Sequence, residues 1–435
     1  MSTVYVHPEL DQLPGATDAL IPIHLYGSRP DQAGRAALGW SIYDELTRVR
    51  APLNPVAFDF LSISLAVIAA DTFVSRDDAA DGWAREINLV VALDNPGTWL
   101  PVLPKLTRAL NFLSGDVWTL RVEGGGDAPP AFNRRVSRNI DPRACDSACL
   151  FSGGLDSAIG ALDLRADGRN PFLVSHAYTH DAAKQEAILP RLGAGAVRFG
   201  AQASPVGWLD HGNDVQMRTR SFNFLAMGVL MAASLLRPGV ARTTLFVPEN
   251  GLIALNPPLT RRRIGALSTR TTHPYYLHLI AEVLAEVGLP IDLMNPYAHK
   301  TKGEMMVECR DQARLATIAS GTVSCGKWKR TGEQCGRCVP CLIRRAAFHR
   351  ASMADDTPYQ AKGIDLHQFF EHDEDPDDLM AMLLAARRLD TMDVDRWIAM
   401  TGPMPLVASD RAGRVNAARR GMMEVRDFLR SEALL

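Results

Sequence analysis

The run Leu150-Phe151-Ser152-Gly153-Gly154-Leu155-Asp156-Ser157-Ala158 constrains this chain more than any other stretch. It passes from an apolar strand through a glycine pair straight into a helix. Glycine lets the backbone turn tightly and come close to an anion, while Ser152, Ser157 and the first helical amides donate hydrogen bonds. A plain serine-glycine turn capped by Asp156 would use the same residue types. Five fixed positions of this kind arise by chance about once in a thousand chains of this length. The strand-to-helix setting narrows that further, so we read a phosphate-binding loop. It is not the longer, lysine-bearing loop of the common P-loop NTPases.

The surroundings agree. Residues 147–151, 171–178, 196–200 and 243–247 read as strands, and 157–164, 181–192, 217–236, 274–287 and 302–317 as helices. Such alternation predicts an α/β fold with a doubly wound parallel sheet, whose ligands bind outside the carboxyl ends of the strands at a switch in strand order. Upstream, residues 1–125 mix strand-like runs at 87–93 and 117–122 with a buried helix near 57–73, and read as an α+β domain of unknown role. Glu123-Gly124-Gly125-Gly126-Asp127-Ala128-Pro129-Pro130 opens a linker over 126–143. The loop-bearing domain then covers 144–350, and 351–435 form a helical extension. The acidic run Glu371-His372-Asp373-Glu374-Asp375-Pro376-Asp377-Asp378 within it reads as a solvated helix start rather than a metal site.

A length of 435 residues suits two or three domains, and 47% hydrophobic residues suffice to fill their cores. Lys plus Arg number 47 against 49 Asp plus Glu, a balance that argues against a dedicated nucleic-acid binder. Met1-Ser2-Thr3-Val4-Tyr5-Val6-His7-Pro8 has neither the basic nor the apolar part of a signal peptide. The most apolar windows, 60–74 and 224–236, fall short of the ~18 unbroken apolar residues of a spanning helix. The expectation is a cytoplasmic protein without a membrane partner.

Four of the seven cysteines, Cys325, Cys335, Cys338 and Cys341, follow the spacing C-x9-C-x2-C-x2-C. Four sulfurs with no open position describe a structural Zn²⁺ site, the rivals being an iron–sulfur cluster or inert cysteines. Cys145, Cys149 and Cys309 are scattered.

Ser152-Gly153-Gly154-Leu155-Asp156-Ser157 resembles the signature of PP-loop ATP pyrophosphatases, which have the adenine nucleotide alpha hydrolase-like fold. The resemblance implies that ATP is split between its α and β phosphates to adenylate a carbonyl or carboxylate oxygen, with Mg²⁺ and cationic side chains offsetting charge at the α phosphate. Cys335-Gly336-Arg337-Cys338-Val339-Pro340-Cys341-Leu342-Ile343-Arg344, continuing to Ala347-Phe348, resembles the zinc-binding end of QueC, 7-cyano-7-deazaguanine synthase. That family uses ATP to turn 7-carboxy-7-deazaguanine and ammonia into an amide and then a nitrile. Arg220-Ser221-Phe222-Asn223 is similar to its Arg-Asn element, and Lys302-Gly303-Glu304-Met305 to its Lys-x-Glu helix start. The resemblance covers about 145–350. It implies catalytic roles for Asp156, Ser157, Arg220 and Lys302, and places ATP and pyrophosphate on Ser152, Gly153, Gly154, Leu155, Asp156 and Ser157.

The chain departs from that family where the substrate should be read. In place of a Tyr-Pro-Asp-Cys-Arg stretch stand Glu249-Asn250-Gly251, then Arg261-Arg262-Arg263, then Arg270 and His273-Pro274. The missing aspartate and cysteine put nitrile formation in doubt, though not adenylation. Glu249, Asn250, Arg261, Arg262, Arg263, Arg270 and His273 are therefore candidate substrate residues. Arginines there would clamp a carboxylate or phosphate, the plain alternative being a solvated basic loop. For His273 the choice lies between an acid–base group and a structural histidine. The added N-terminal domain and tail are similar to those of longer QueC-like proteins from bacterial anti-phage islands, the QatC components of Qat systems in particular. That similarity implies transfer of a deazaguanine carboxylate to an amine of a co-encoded acceptor protein. Two other readings stand beside it: a tRNA-thiolating enzyme using Cys145 and Cys149 as sulfur carriers, and a nucleotide-binding scaffold without turnover.

Overall fold

The computed structural model describes residues 2–31, 34–176, 179–207, 218–260, 270–328, 332–360, 365–367 and 377–435. Two five-stranded sheets, parallel throughout, organise it. The first comprises β1 (Ser2–His7), β2 (Leu20–Gly27), β3 (Ala36–Gly39), β4 (Glu86–Ala92) and β5 (Val117–Glu123), in the order β3-β2-β1-β4-β5. The second comprises β6 (Ser147–Leu150), β7 (Pro171–His176), β8 (Val197–Ala201), β9 (Thr243–Phe246) and β10 (Ile291–Met294), in the order β10-β9-β6-β7-β8. The helices used below are α1 (Pro55–Phe73), α2 (Leu103–Ser114), α3 (Leu155–Ala166), α4 (Thr179–Ile188), α5 (Arg220–Ala233), α6 (Gly251–Leu255), α7 (Pro274–Glu286), α8 (Lys302–Val307), α9 (Val339–Arg350), α10 (Asp377–Arg388), α11 (Val394–Ala399) and α12 (Ala408–Ser431).

The second sheet is the doubly wound α/β sheet expected from the alternating pattern. The first corrects an expectation: residues 1–125 are α/β, not α+β, because every strand pair there is parallel. The crossovers concealed this. Only the 3-10 turn Leu10–Gln12 lies between β1 and β2, and no helix is described between β2 and β3, so strand and helix do not alternate in the sequence. The helix expected over 302–317 is two, because Asp311 accepts from the Arg314 amide (3.0 Å) and caps a fresh start at Gln312–Ile318.

Helix α1 begins where Asn54 accepts from the Ala57 amide (3.0 Å) with Pro55 in the first helical position. By length and composition it could cross a membrane, yet 94% of its apolar window is buried inside the protein. Its polar groups find partners there. Asp59 accepts from the amides of Asp94 and Asn95, both at 3.0 Å, and Ser64 Oγ accepts from Asn223 Nδ2 of α5 at 2.9 Å. Phe60 meets Phe222 of α5 edge-on at 5.3 Å. With α1 on the first sheet and α5 on the second, the layers run sheet, helix, helix, sheet. One apolar core passes through all four, from Val4 to Ile291.

A second core joins the C-terminal helices to the rest, gathering Leu252, Leu342, Met382, Trp397, Met422 and Phe428. In the second sheet the chain leaves β6 toward β7 and β8, then returns to β9 and β10 on the other side. Strand order therefore reverses between β6 and β9. The loops after their carboxyl ends face one crevice.

Candidate active site

The loop after β6 is shaped by its two glycines. Gly153 has φ +84, in the left-handed region, and a Cβ on it would stand 3.1 Å from Gln185 Cγ of α4. A Cβ on Gly154 would stand 3.0 Å from the Val323 carbonyl oxygen. Side chains at either position would push the loop off its supports. The Gly154 amide donates to Ser152 Oγ (3.3 Å), and Ser157 Oγ donates to the Gly154 carbonyl (2.9 Å) while lying 3.2 Å from Ser152 Oγ. Val323 N–H holds the Gly153 carbonyl (3.0 Å), and Gln185 Nε2 holds that of Ser152 (3.1 Å). Both hydroxyls and the start of α3 open on a cavity of about 1020 Å³.

Asp156 is the electrostatic centre of this cavity. Its Oδ1 accepts from Lys302 Nζ at 2.5 Å, and its Oδ2 accepts from the Asn250 amide (3.0 Å) and side chain (2.7 Å). Burial pushes the Asp156 carboxyl up, but the Lys302 ammonium and the hydrogen bonds outweigh it and hold the group down to about 2. Glu249, beside it at the end of β9, is driven well above the usual carboxylate range by burial and then by the Asp156 charge. The two neighbouring carboxyls are thus pushed in opposite directions, Asp156 down and Glu249 up. Asn250 ties the two together, donating also to Glu249 Oε1 (3.0 Å) while its Oδ1 caps α6 through the Ile253 amide (3.1 Å). From the far side Asn295 clamps the Glu249 backbone.

Lys302, Glu249, Ser152, Gly154, Leu155, Asp156 and Ser157 all line this one cavity. Gly153 and Asn250 adjoin lining residues in the chain but are outside the described lining. Arg220 begins α5 outside the described lining; next to it, Thr219 is bound through N and Oγ1 to Asp71 at the end of α1, both at 2.8 Å. Arg270 also lies outside the lining. Its guanidinium stacks 4.5 Å from the Phe112 ring of α2 and donates to the Phe112 carbonyl (2.9 Å). His273 is fully buried as the N-cap of α7, with Nδ1 accepting from the Tyr275 amide and Nε2 bonded to Thr401 Oγ1. Arg261, Arg262 and Arg263 fall outside the described residues.

Several lining residues went unread in the sequence. Ser324 and Lys327 come from the cysteine segment, and Asp378, Met380, Ala381 and Leu384 from α10 in the tail. Lys327 had a signal, being a cation two residues after a metal-ligand cysteine. The α10 residues had none, since nothing local to an amphipathic helix says where it docks.

The four cysteines Cys325, Cys335, Cys338 and Cys341 are all buried, with every pair of sulfurs within 4.8 Å. A tetrahedral Zn²⁺ with Zn–S bonds of about 2.3 Å spaces its sulfurs about 3.8 Å apart, and Cys338 Sγ lies 3.8 Å from Cys325 Sγ. The amides of Lys327 and Cys335 donate to Cys325 Sγ, and that of Cys338 to Cys335 Sγ, each at 3.3 Å. Amides aimed at sulfur stabilise thiolates, so the donor set fits a closed zinc site. Gly336 makes the turn at φ +74. Behind it the fully buried Arg344 bonds Thr322, Thr357 and the Ala319 carbonyl, anchoring the segment. Cys145 and Cys149 are different. Burial raises both thiols, Cys145 to about 11 and Cys149 further, and neither is in the described lining.

With this geometry in place, comparison with known proteins becomes specific. Part of this chain is similar to 7-cyano-7-deazaguanine synthases. The one from Saccharophagus degradans is 36% identical over 83 residues, 19% of this chain and 36% of that protein. The one from Brucella ovis is 39% identical over 70 residues, 16% of this chain and 28% of that protein. The chain thus spans about a third of the length of the curated relatives it matches. These partial relatives support a QueC-like family. No family model and no solved structure matches.

Proposed function

We propose that this protein activates a carboxylate by adenylation with ATP, releasing pyrophosphate, and passes the acyl group to an amine. The observation that carries the reading is one cavity, at the strand switch, shared by the Ser152–Ser157 hydroxyls and the Asp156–Lys302–Asn250 cluster. A carboxylate is a poor electrophile because its leaving group would be an oxide, and AMP leaves far more readily. The loop hydroxyls and amides offer donors to the departing pyrophosphate, while Lys302 sets a positive charge beside them. Mg²⁺ accompanying ATP would find the Asp156 carboxylate on the same wall, and would supply charge neutralisation at the phosphates. A resident Zn²⁺ on the four cysteines has a structural role.

The similarity to 7-cyano-7-deazaguanine synthases favours 7-carboxy-7-deazaguanine as the acid, and the apolar wall of Ile253, Val339, Pro340, Met380 and Leu384 suits the flat face of such a heterocycle. Glu249-Asn250 in place of the family's Asp and Cys favours a stop at the amide. The acceptor is ammonia or an amine of a co-encoded protein, as in cytoplasmic anti-phage defence. The thiolation reading gains nothing from Cys145 and Cys149, which are buried thiols away from the cavity.

ATP–pyrophosphate exchange tests the chemistry. Exchange should depend on 7-carboxy-7-deazaguanine and fall about 100-fold in Ser157→Ala, the scale of losing one preorganised donor. Exchange with a different acid only would replace the substrate, and none with any acid would leave a binding scaffold. Transfer to a partner predicts an ATP-dependent mass increment on the co-encoded protein. Free amide or nitrile as sole product would count against it.

A further inference from the structure

The tail helix α12 crosses the two short helices that carry Asp156's partners, and it does so at close range. A Cβ on Gly251 would lie 2.8 Å from Ala417 Cβ, and one on Gly421 would lie 3.1 Å from Leu252. These small residues let α12 settle on α6, whose N-cap is Asn250. On α8 the contact is polar. The buried Glu424 accepts from Thr301 Oγ1 (2.5 Å) and from the Gly303 amide (3.1 Å). Its Oε1 sits 2.6 Å from where a Gly303 Cβ would stand, so only glycine admits this carboxylate. Arg420, one turn earlier, donates to both carboxylate oxygens of Glu304 (2.6 and 3.0 Å) and to the His299 carbonyl (2.9 Å). Glu304 in turn completes a capping box with Thr301. Residues 301, 303 and 304 are thus all held from α12, and Lys302 between them turns its ammonium to Asp156.

We infer that Glu424 is a positioning residue: through Thr301 and Gly303 it fixes the first turn of α8, and so aims Lys302 at Asp156 in the cavity. The tail is on this account part of the active site. The inference rests on the adenylation reading only for its effect on rate, because the aim of Lys302 exists without turnover. Burial pushes the Glu424 carboxyl up to about 7 against the pull of its two donors, so a neutral side chain of the same shape is tolerated. Glutamine can present Oε1 to the Gly303 amide and Nε2 to the Thr301 hydroxyl, which also accepts.

Reductive methylation of the full chain without ATP, read at each lysine by peptide mass spectrometry, tests this directly. In Glu424→Ala, Lys302 should label about tenfold faster as the first turn of α8 opens locally, while Lys105 and Lys300 label as in the wild type. Glu424→Gln should restore protection. In the exchange assay Glu424→Ala should lower kcat with KM for ATP little changed. Should Glu424→Ala fail to fold, Glu424→Asp withdraws the carboxylate by one methylene and carries the same test. Unchanged Lys302 protection in either folded variant overturns the proposal. Loss of protection without any exchange in the wild type would instead remove the adenylation reading and leave the positioning intact.

Discussion

The ring of His273 has one proton arrangement open to it. Nδ1 accepts from the Tyr275 amide and is therefore bare, so Nε2 carries the proton and donates it to Thr401 Oγ1, which passes its own to the Ile398 carbonyl. Protonation would break the cap. Burial, with Arg270 and Arg414 adding to it, lowers the ring to about 3. Because the unfolded ring titrates near 6.5, its stabilisation is complete above that pH and drains away as pH falls toward 3, by up to about 1.4 kcal/mol per unit. His273→Asn keeps a cap acceptor but does not titrate, so urea unfolding between about pH 6 and 4 should show a flatter pH slope than the wild type. Equal slopes would mean the ring is not held neutral. The same residue marks what the sequence withholds. Ser152 to Ser157 were legible because their chemistry is contiguous and local. His273 and Arg270 were read as substrate residues from their position after β9, yet side-chain direction is set by packing, and here Thr401 and Phe112 receive them.

At the scale of elements, the cysteine segment was legible from spacing and the tail was not. Zinc-ligand spacing is a local constraint, whereas α12 docks through Ala417, Gly421 and Glu424, residues ordinary in any helix. The segment also lends Ser324, Lys327, Val339 and Pro340 to the cavity wall, so metal, stability and activity should fail together. Purified protein should hold one zinc per chain and show no visible charge-transfer band. Cys335→Ser or a strong chelator should lower Tm by at least roughly 5 °C and abolish pyrophosphate exchange. An iron–sulfur chromophore, or full stability after metal removal, would contradict the assignment.

For the whole molecule the governing fact is the apolar layer of α1 and α5. Strands β4 to β9 were legible in the sequence; β1 to β3, β10 and the pairing of the sheets' helices were not, since each helix is apolar enough to be buried by anything. Residues 144–350 alone would lose α1 from one face of α5 and α12 from α6 and α8. Such a fragment should be insoluble, or keep far-UV while losing near-UV circular dichroism. A folded, monomeric fragment with exchange activity would show the layers to be independent.

The burial of α1 also bears on how the chain is made. Phe73 leaves the ribosome well before Ala233, and at ~5–20 residues per second that gap lasts on the order of 10 to 30 s. Throughout it a helix long enough to span a bilayer waits with the face meant for α5 uncovered. Until α5 is made, the apolar surface that it covers in the finished fold has no partner on that side.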